Sequence, residues 1–488
     1  MVAKPKQRQL QLVFAEPRAP ETSTRKLLRE IDRLVDWRPI REAAAGYFSK
    51  RGRPSHDPVV MVKMMLVGYL FGIGSDRALV EECSDRLSFR EFLGYGLAES
   101  LPVHSSFTEW RHRLGSEFFR EALHEIVRQC EAAGMEISGA RTVDATHVKA
   151  QADKQGPTVE VPRGVDVDEF LELRSAGVVT ALPTGKTVPV NTHDPDARLQ
   201  RKKYGVAEFR FNASFCADVE SGLITDATAT GYESAATAVD HVEHDPFEVT
   251  ELVADALYDE AASLAALRER GVTTYVPDRK RNSTGLLGSG RFIYDARCNE
   301  YVCPAGKPLR WYRYRPERHL HYYIARKSDC DGCPWKPECT GAARRTVTRV
   351  DHAEGLERCV RGGIRYRYLM TRRRVHEHLN NIGKRDHCLR RARALGLDGM
   401  RIQAALTAIA IDLKKLLRWA KRTRAKAGVL ALGLSASAVS AFRGLRRALQ
   451  DLRGTLRRAT GPPRDRRAAC ALSDPARACR PPASAHPP

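Results

Sequence analysis

The stretch TVDATHVKA, residues 142–150, combines the alternating pattern of a β-strand with a carboxylate, Asp144. Aspartate is depleted from strands, and a carboxylate on a half-buried surface costs free energy unless a partner stabilises its charge. A lone aspartate in such a stretch is most often exposed to solvent or part of a turn. Asp144 therefore indicates a functional site only if other parts of the chain supply partners for it.

The charge balance predicts a polyanionic partner. The 488 residues include 81 Lys and Arg against 59 Asp and Glu, a formal charge of +22, and 42% are hydrophobic, enough for a sizeable core. Nucleic acid is the usual partner of such an excess, and an anionic membrane is the rival. The sequence has no apolar run of about 18 residues and no signal-peptide pattern. We therefore expect a cytoplasmic, nucleoid-associated protein with no membrane contact.

The first part of the chain is predicted to be helical. After a polar N-terminal arm, residues 1–49, a helical DNA-binding or dimerisation domain is expected over 50–125. Its first two helices are PVVMVKMMLVGYLFGI, which is apolar throughout, and SDRALVEECSDRLSFREFLG, which is amphipathic. A third begins at HSSFTEWRHRL, where Ser106 and Glu109 have capping-box spacing. Three short helices suit a DNA-reading unit and a dimerisation bundle equally.

Residues 139–279 carry strand patterns. ARTVDATHV, EFRFNASFCAD and GLITDATAT look like three strands, and the turn VESG joins the last two. A helix near 234–243 follows, then a fourth strand running into a helix, VTELVADALYDE, and a fifth strand, VTTYVP. That order resembles the ribonuclease H-like fold. We therefore predict an α/β ribonuclease H-like catalytic core, with 139–279 as its first part.

Three further segments complete the predicted organisation. A cysteine-rich insertion is expected over 280–345, and the last part of the catalytic core over 346–422, where helical patterns return. Residues 423–488 are predicted to be a basic, partly disordered tail. From 421 to 488 there are 15 Lys and Arg against 3 Asp, a net +12. We expect this tail to add DNA affinity without adding sequence choice, because Lys and Arg contacts to phosphate carry no sequence information.

Two further carboxylates are candidate partners of Asp144. Asp255 stands where the fourth strand ends, the usual place for functional side chains in open α/β sheets. Glu377 lies in a predicted helix, and about 100° per residue places Arg373, Glu377 and Lys384 within roughly 60° of one another. Taken singly, Asp255 also suits a helix N-cap, and Glu377 a surface pair with Arg373. Together, three carboxylates suit two Mg²⁺ ions about 4 Å apart that assist a phosphoryl displacement.

The ordered set TVDATHVKA, LVADALYDE and RRRVHEHLNNIGK resembles the bacterial insertion-sequence transposases with a DDE triad. Within that class the chain is similar to the superfamily with a spaced Tyr, Arg, Glu, Lys signature, although Met370 occupies the Tyr position and Leu257 stands where a glycine is expected. The motifs RGRPSHDPVVMVKMM, HSSFTEWRHRL, THDPDAR and ALTAIAIDLKKLLR, together with the cysteine-bearing insertion, resemble the same group. The resemblance covers about residues 50–418.

This resemblance implies roles for five residues. Asp144, Asp255 and Glu377 would be catalytic and would bind two Mg²⁺ or Mn²⁺ ions per active site, while Arg373 and Lys384 would contact DNA phosphates. It also implies a transposase that binds terminal inverted repeats and catalyses metal-dependent strand cleavage and strand transfer. Its partners would be double-stranded DNA, both transposon ends and target, and a second copy of the chain on that DNA.

Four cysteines of the insertion are candidate zinc ligands. Cys303, Cys330, Cys333 and Cys339 would supply four thiolates, two of them in C-x₂-C spacing, which suits tetrahedral Zn²⁺ in a zinc-knuckle-like insertion. Cys298 could replace Cys303, and reduced thiols in a loop are the alternative to a metal site. The nearby stretch RWYRYRPERHLHYY suits contact with the DNA backbone and bases, or a strand packed on its aromatic face.

Two other functions remain open at this stage. One is a structure-specific nuclease, which would use the same metal chemistry without strand transfer. The other is a non-catalytic DNA-binding regulator descended from a transposase. Metal-dependent cleavage of end DNA separates the regulator from the two enzymes, and joined DNA products separate the transposase from the nuclease.

Overall fold

The computed structural model describes a large part of the chain, namely residues 21–49, 55–152, 157–162, 165–176, 187–201, 206–232, 234–277, 287–288, 291–316, 319–353 and 359–431. Contacts divide the chain into a compact unit that ends at Trp419 and a second unit that begins at Ala420. The tail expected over 423–488 lies outside the described residues from 432 onward. Within the described part, no helix is long and apolar enough to span a membrane.

Helices form the described chain before the first core strand. They are α1 Ser23–Leu34, α2 Arg38–Ala45, α3 Pro58–Leu70, α4 Asp76–Asp85, α5 Leu87–Leu93 and α6 His104–Ala132. The first two lie in the segment predicted to be a polar arm, but α1 buries Leu28 and Ile31 in the main hydrophobic core. The amphipathic segment predicted as one helix forms two, α4 and α5.

Helix α3 is the apolar helix that the sequence predicts. All of its side chains are buried, as expected for a helix that is hydrophobic on every side. Asp57 begins it by accepting a hydrogen bond from the backbone N–H of Val59 at 2.9 Å, and Pro58 occupies the first turn, where no backbone donor is needed. Its buried cation, Lys63, pairs with Asp32 of α1.

Helix α6 begins at His104, so Ser106 lies inside it and the capping box predicted at Ser106 and Glu109 is wrong. The residue before the helix is Val103, whose side chain makes no capping bond. Gly115 kinks α6 with a φ of +69°, a conformation that strongly favours glycine.

A mixed sheet with flanking helices follows. Its elements are β1 Ala140–Lys149, β2 Thr158–Pro162, α7 Val167–Ser175, β3 Thr187–Asn191, β4 Arg198–Arg201, β5 Ala207–Asp218, β6 Ile224–Thr230, α8 Ala236–His244, β7 Glu251–Val253, α9 Ala261–Glu269 and β8 Thr273–Tyr275. The sheet order is β4-β5-β1-β7-β8. Strand β6 belongs to the same sheet and also pairs with β5. Strands β1, β5 and β6 pair antiparallel, whereas β1, β7 and β8 run parallel. Strands β2 and β3 form a separate two-stranded sheet.

The remaining described elements are the insertion and the C-terminal helices. They are β9 Ile293–Asp295, β10 Glu300–Val302, β11 Pro308–Arg315, β12 Leu320–Ala325, α10 Lys327–Cys330, α11 Lys336–Cys339, β13 Thr346–Val350, α12 Gly363–Arg372, α13 Val375–Asp386 and α14 Gly396–Ala431. Strands β9 to β13 form their own antiparallel sheet, which continues to Val350, a few residues beyond the predicted insertion. This sheet has a separate small core that includes Leu309, Tyr323 and Val347.

The THDPDAR motif has a structural role at the start of α14. Asp194 accepts a hydrogen bond from the backbone N–H of Gly396 at 3.1 Å, and Asp196 accepts one from Leu397 at 2.8 Å. Carboxylates at a helix start satisfy otherwise unpaired N–H groups and interact favourably with the helix dipole. The motif therefore fixes α14 to the loop that leads into β4.

A buried charged cluster joins α6 to the core sheet. The Arg120 guanidinium of α6 donates to both oxygens of Asp226 in β6, at 2.7 and 2.5 Å. His124 and His241 contact the same carboxylate at 2.8 and 2.6 Å. These bonds hold the pKa of Asp226 well below its usual range, despite burial that opposes ionisation. The N-terminal helices are thus attached to the sheet through a paired internal charge.

Breaking this pair is expected to destabilise the protein. Arg120→Met keeps most of the side-chain volume but leaves the Asp226 carboxylate without its guanidinium, and an uncompensated buried charge costs about 3 kcal/mol or more. Arg128→Met, on the same helix, is the matched control, because Arg128 makes only surface pairs with Glu121 and Glu125. Denaturant unfolding should separate the two variants, and equal unfolding free energies would contradict the role given to Arg120.

Candidate active site

The parallel pairing of β1 with β7 places two aspartates side by side. Thr142 of β1 is the register partner of Val253 of β7. Asp144 and Asp255 each lie two residues beyond these partners, so they occupy the same position along adjacent chains. Because side chains alternate in an extended chain, equal offsets place both carboxylates on the same face of the sheet. The two aspartates predicted as partners are therefore brought together.

The electrostatics of Asp144 reflect this proximity. Burial, and secondly the negative charge of Asp255, raise the pKa of Asp144 to about 6. The positive charge of Arg373 and hydrogen bonds from the Ala145 backbone and the Asn380 side chain oppose this rise. A buried carboxylate that lies beside a second carboxylate is a place where a cation would be stabilised.

Asp255 also has the local role that the sequence left open for it. Its Oδ1 accepts a hydrogen bond from the backbone N–H of Leu257 at 2.8 Å and so begins a 3₁₀ turn, Ala256–Tyr258. Because this bond uses the backbone of residue 257, a leucine serves where a glycine was expected. The cap fixes the carboxylate at the end of β7, so the capping and functional interpretations are compatible.

Helix α13 is attached to β1 by three side chains spaced about one turn apart. The His376 ring donates from Nε2 to the Thr142 carbonyl at 2.8 Å, and burial lowers its pKa to about 4. Asn380 donates to Asp144 Oδ2 at 3.1 Å, and the Lys384 ammonium donates to Thr146 Oγ1 at 2.5 Å. These contacts align α13 along the strand that carries the first acid.

Glu377 is exposed in the first turn of α13, directly after His376. Seven residues separate it from Lys384, which places the two side chains within about 20° around the helix. The surface pair between Glu377 and Arg373 that the sequence left open is not formed among the described residues. The positive charge of Arg373 instead acts to lower the pKa of Asp144, against the larger effect of burial. The Nε atom of Arg373 is buried and has no hydrogen-bond partner among the described residues.

Asn380, His376 and Thr146 were missed by the sequence analysis. Asn380 contacts Asp144 across 236 residues of sequence, which helical periodicity alone cannot reveal. One signal was available, because asparagine is a poor helix former and Asn380 lies three residues after Glu377. The arginine predicted to contact phosphate, Arg373, was also not expected to influence the first acid.

The structure groups the four cysteines proposed as zinc ligands. Cys303, Cys330, Cys333 and Cys339 line one small cavity of the insertion. Burial, with the three other thiols contributing, raises the pKa of Cys339. Cys298, the alternative ligand, is exposed and does not line this cavity.

In one group of described side chains, the atoms that could bind a metal lie closer together than in the two predicted sites. The ligand atoms of Asp226, Asp240 and His241 lie within 4.8 Å of one another, whereas neither the three predicted acids nor the four cysteines reach that spacing within the described residues. The Arg120 guanidinium donates to both Asp226 and Asp240, at 2.5 and 2.9 Å. A cationic side chain thus already balances the charge of this group.

The insertion sheet exposes aromatic and basic side chains on β11. Trp311 and Tyr312 are 48% and 54% exposed, while Tyr323 of β12 is buried in the small core. Arg313 lies over the rings of Tyr312 and Tyr322, with its guanidinium 5.6 and 5.0 Å from their centroids. The aromatic side chains of β11 are therefore presented to solvent, whereas Tyr323 of the neighbouring β12 packs in the small core.

Comparisons with known proteins find matches to two transposase families and a similarity to one solved structure. Residues 16–113 match the family described as Transposase domain (DUF772), and residues 302–417 match the family described as Transposase DDE domain. The search of curated proteins finds no match. The chain is also similar to a solved structure titled "Cryo-EM structure of piggyBac transposase synaptic complex with hairpin DNA (SNHP)", at 9% identity and a TM-score of 0.34, over 83% of this chain and 75% of that one.

The two family matches cover the N-terminal helices and the part of the chain that carries the insertion, α13 and most of α14. The second match includes Glu377, Arg373 and Lys384. Together the matches identify the chain as an insertion-sequence transposase of the DDE class.

Proposed function

We propose that the chain is a bacterial transposase whose ribonuclease H-like core cleaves DNA at terminal inverted repeats and joins the freed ends to target DNA. The observation that carries this proposal is that Asp144 and Asp255 each lie two residues beyond the paired residues Thr142 and Val253 of two parallel strands. Glu377 lies on α13 between His376 and Asn380, whose side chains bond to β1, and this position supports its assignment as the third acid. The sheet order, with three antiparallel strands followed by two parallel ones, supports the ribonuclease H-like assignment.

Asp144, Asp255 and Glu377 would hold two Mg²⁺ or Mn²⁺ ions. Carboxylate oxygens are the ligands that these hard cations prefer, and Asp255 lies close enough to Asp144 for its negative charge to add to the effect of burial in raising the pKa of Asp144. When bound, two such ions stabilise the attacking and leaving oxygens of a phosphoryl displacement. The chain itself contributes the orientation of each carboxylate, fixed by the Leu257 N–H for Asp255 and by Asn380 for Asp144.

Positive side chains would position the DNA. Lys384 lies within about 20° of Glu377 on α13, and Arg373 lies near Asp144, so both cations border the acids. The exposed Trp311, Tyr312 and Arg313 of the insertion sheet supply a second surface suited to phosphates and unpaired bases. The net charge of +22 favours association with DNA over the whole chain. We further propose that the protein works as a homodimer on DNA in the cytoplasm.

Neutralising any one of the acids is expected to abolish Mg²⁺-dependent strand cleavage. Asp144→Asn, Asp255→Asn and Glu377→Gln keep side-chain volume but remove ligand charge. DNA binding and thermal unfolding should remain nearly unchanged, because relief of the repulsion between Asp144 and Asp255 offsets lost hydrogen bonds. The assay is cleavage of DNA carrying the inverted repeats that flank the coding region.

Glu269→Gln, an exposed acid at the end of α9, is the control and should cleave normally. Cleavage by any of the three acid variants would remove that residue from the site. Cleavage without joined products would favour the structure-specific nuclease, and DNA binding without cleavage by the unmodified chain would favour the non-catalytic regulator.

We also propose that Cys303, Cys330, Cys333 and Cys339 bind one structural Zn²⁺. Their common cavity and the influence of three thiols on the fourth support this set and favour Cys303 over Cys298. The separations in the structure are wider than in a closed site, so we expect binding to draw the thiolates together.

Protein purified without chelator should contain about one Zn²⁺ per chain. Replacing Cys330 and Cys333 together with Ser should remove it and make the insertion protease-sensitive, while the core sheet stays folded. Cys298→Ser should retain the metal, because Cys298 lies outside the cavity. Metal analysis that finds no zinc in the unmodified protein would contradict the proposal, and zinc loss in Cys298→Ser would move the ligand from Cys303 to Cys298.

A further inference from the structure

The side-chain amide of Asn380 is satisfied at one end only. Its nitrogen donates to Asp144 Oδ2 at 3.1 Å. Its oxygen, Oδ1, is buried and has no hydrogen-bond partner among the described residues. An ionised carboxylate can only accept hydrogen bonds, so the amide group must turn its nitrogen toward Asp144. The amide oxygen, which has no partner among the described residues, is a hydrogen-bond acceptor.

An unpaired buried amide oxygen is costly. Leaving such a group without a partner incurs its full desolvation penalty, and most buried polar atoms in folded proteins have partners. Asparagine is also less favourable than leucine inside a helix. Packing and local propensity would both favour an apolar residue at position 380, so they do not account for the amide.

The surroundings of Asn380 indicate what would bind its oxygen. The amide lies against Asp144, which interacts electrostatically with Asp255, the second acid of the proposed site. Helix geometry places Asn380 about 60° from Glu377 around α13. Amide oxygens are common ligands of hard divalent cations, and outer-shell partners of metal ligands hold those ligands in orientation.

We propose that Asn380 is a fourth polar member of the divalent-cation site. Its nitrogen holds Asp144 in orientation, and its oxygen faces the cation, bonded to it or to one of its water molecules. This inference rests on the proposed function, since it requires that Asp144 bind a cation. It assigns one amide two tasks, to position a ligand and to complete the ligand sphere.

The test is the affinity of the full chain for Mn²⁺, measured by isothermal titration calorimetry without DNA. Asn380→Ala and Asn380→Leu should each weaken Mn²⁺ binding tenfold or more, the usual effect of removing an outer-shell partner. Asn380→Leu retains packing volume, so it separates loss of the amide from loss of contacts. Asn381→Ala changes the adjacent, exposed asparagine of the same helix and should bind within about twofold of the unmodified chain.

The outcomes distinguish this inference from the proposed function. If Asp144→Asn loses Mn²⁺ binding while both Asn380 variants bind as the unmodified chain does, the inference fails and the proposed function stands. If the unmodified chain binds no Mn²⁺, or Asp144→Asn binds it equally well, both fail. Each variant must have the same unfolding temperature as the unmodified chain in a thermal scan. If Asn380→Ala fails to fold, the Mn²⁺ affinity of Asn380→Leu decides the test.

Discussion

The parallel pairing of β1 with β7 is the constraint on which the proposed site depends. This pairing fixes the register of Thr142 against Val253 and so sets Asp144 beside Asp255. A shift by one residue would turn one carboxylate to the opposite face of the sheet, because side chains alternate along a strand. The acidic pair is therefore a consequence of backbone hydrogen bonding.

Buried ion pairs hold this register in place. Arg141, one residue before Thr142 on β1, is fully buried and donates to Asp245 at 2.7 Å and to Asp218 at 3.3 Å. Asp245 follows α8 and Asp218 ends β5, so the pairs attach both neighbouring segments to the start of β1. Helix α13 contributes two contacts to the same strand, from His376 to Thr142 before the acid and from Lys384 to Thr146 beyond it. Asp144 lies between these two contacts.

Sequence reasoning located the strands and the carboxylates because both depend on local patterns. The alternation around Asp144 and the position of Asp255 after an apolar strand are visible within about ten residues. The partners of Asp144 are not visible in this way, since Arg373 and Asn380 meet it only through the packing of α13 on β1. The helices of the N-terminal arm were missed because a polar segment reveals little about the few apolar residues, such as Leu28 and Ile31, that attach it to the core.

Two acidic groups in the described part of the chain differ in what balances their charge. Asp226 and Asp240 already bond to the Arg120 guanidinium, whereas the charge of Asp144 is only partly offset and its pKa is raised to about 6. The first group therefore stabilises the attachment of α6, and the second is the one that we propose to take a divalent cation. This contrast explains why the tighter cluster of ligand atoms is not the site that we assign to catalysis.

Iron-mediated cleavage of the polypeptide distinguishes the two groups directly. Fe²⁺ bound in place of Mg²⁺ reduces added hydrogen peroxide to hydroxide and a hydroxyl radical, which cuts the backbone next to the metal, and mass spectrometry locates the cuts. We predict cuts near Asp144, Asp255 and Glu377, suppressed by excess Mg²⁺. Cuts confined to the neighbourhood of Asp226 and Asp240, or no cuts that Mg²⁺ suppresses, would contradict the assignment of the metal site to the paired strands.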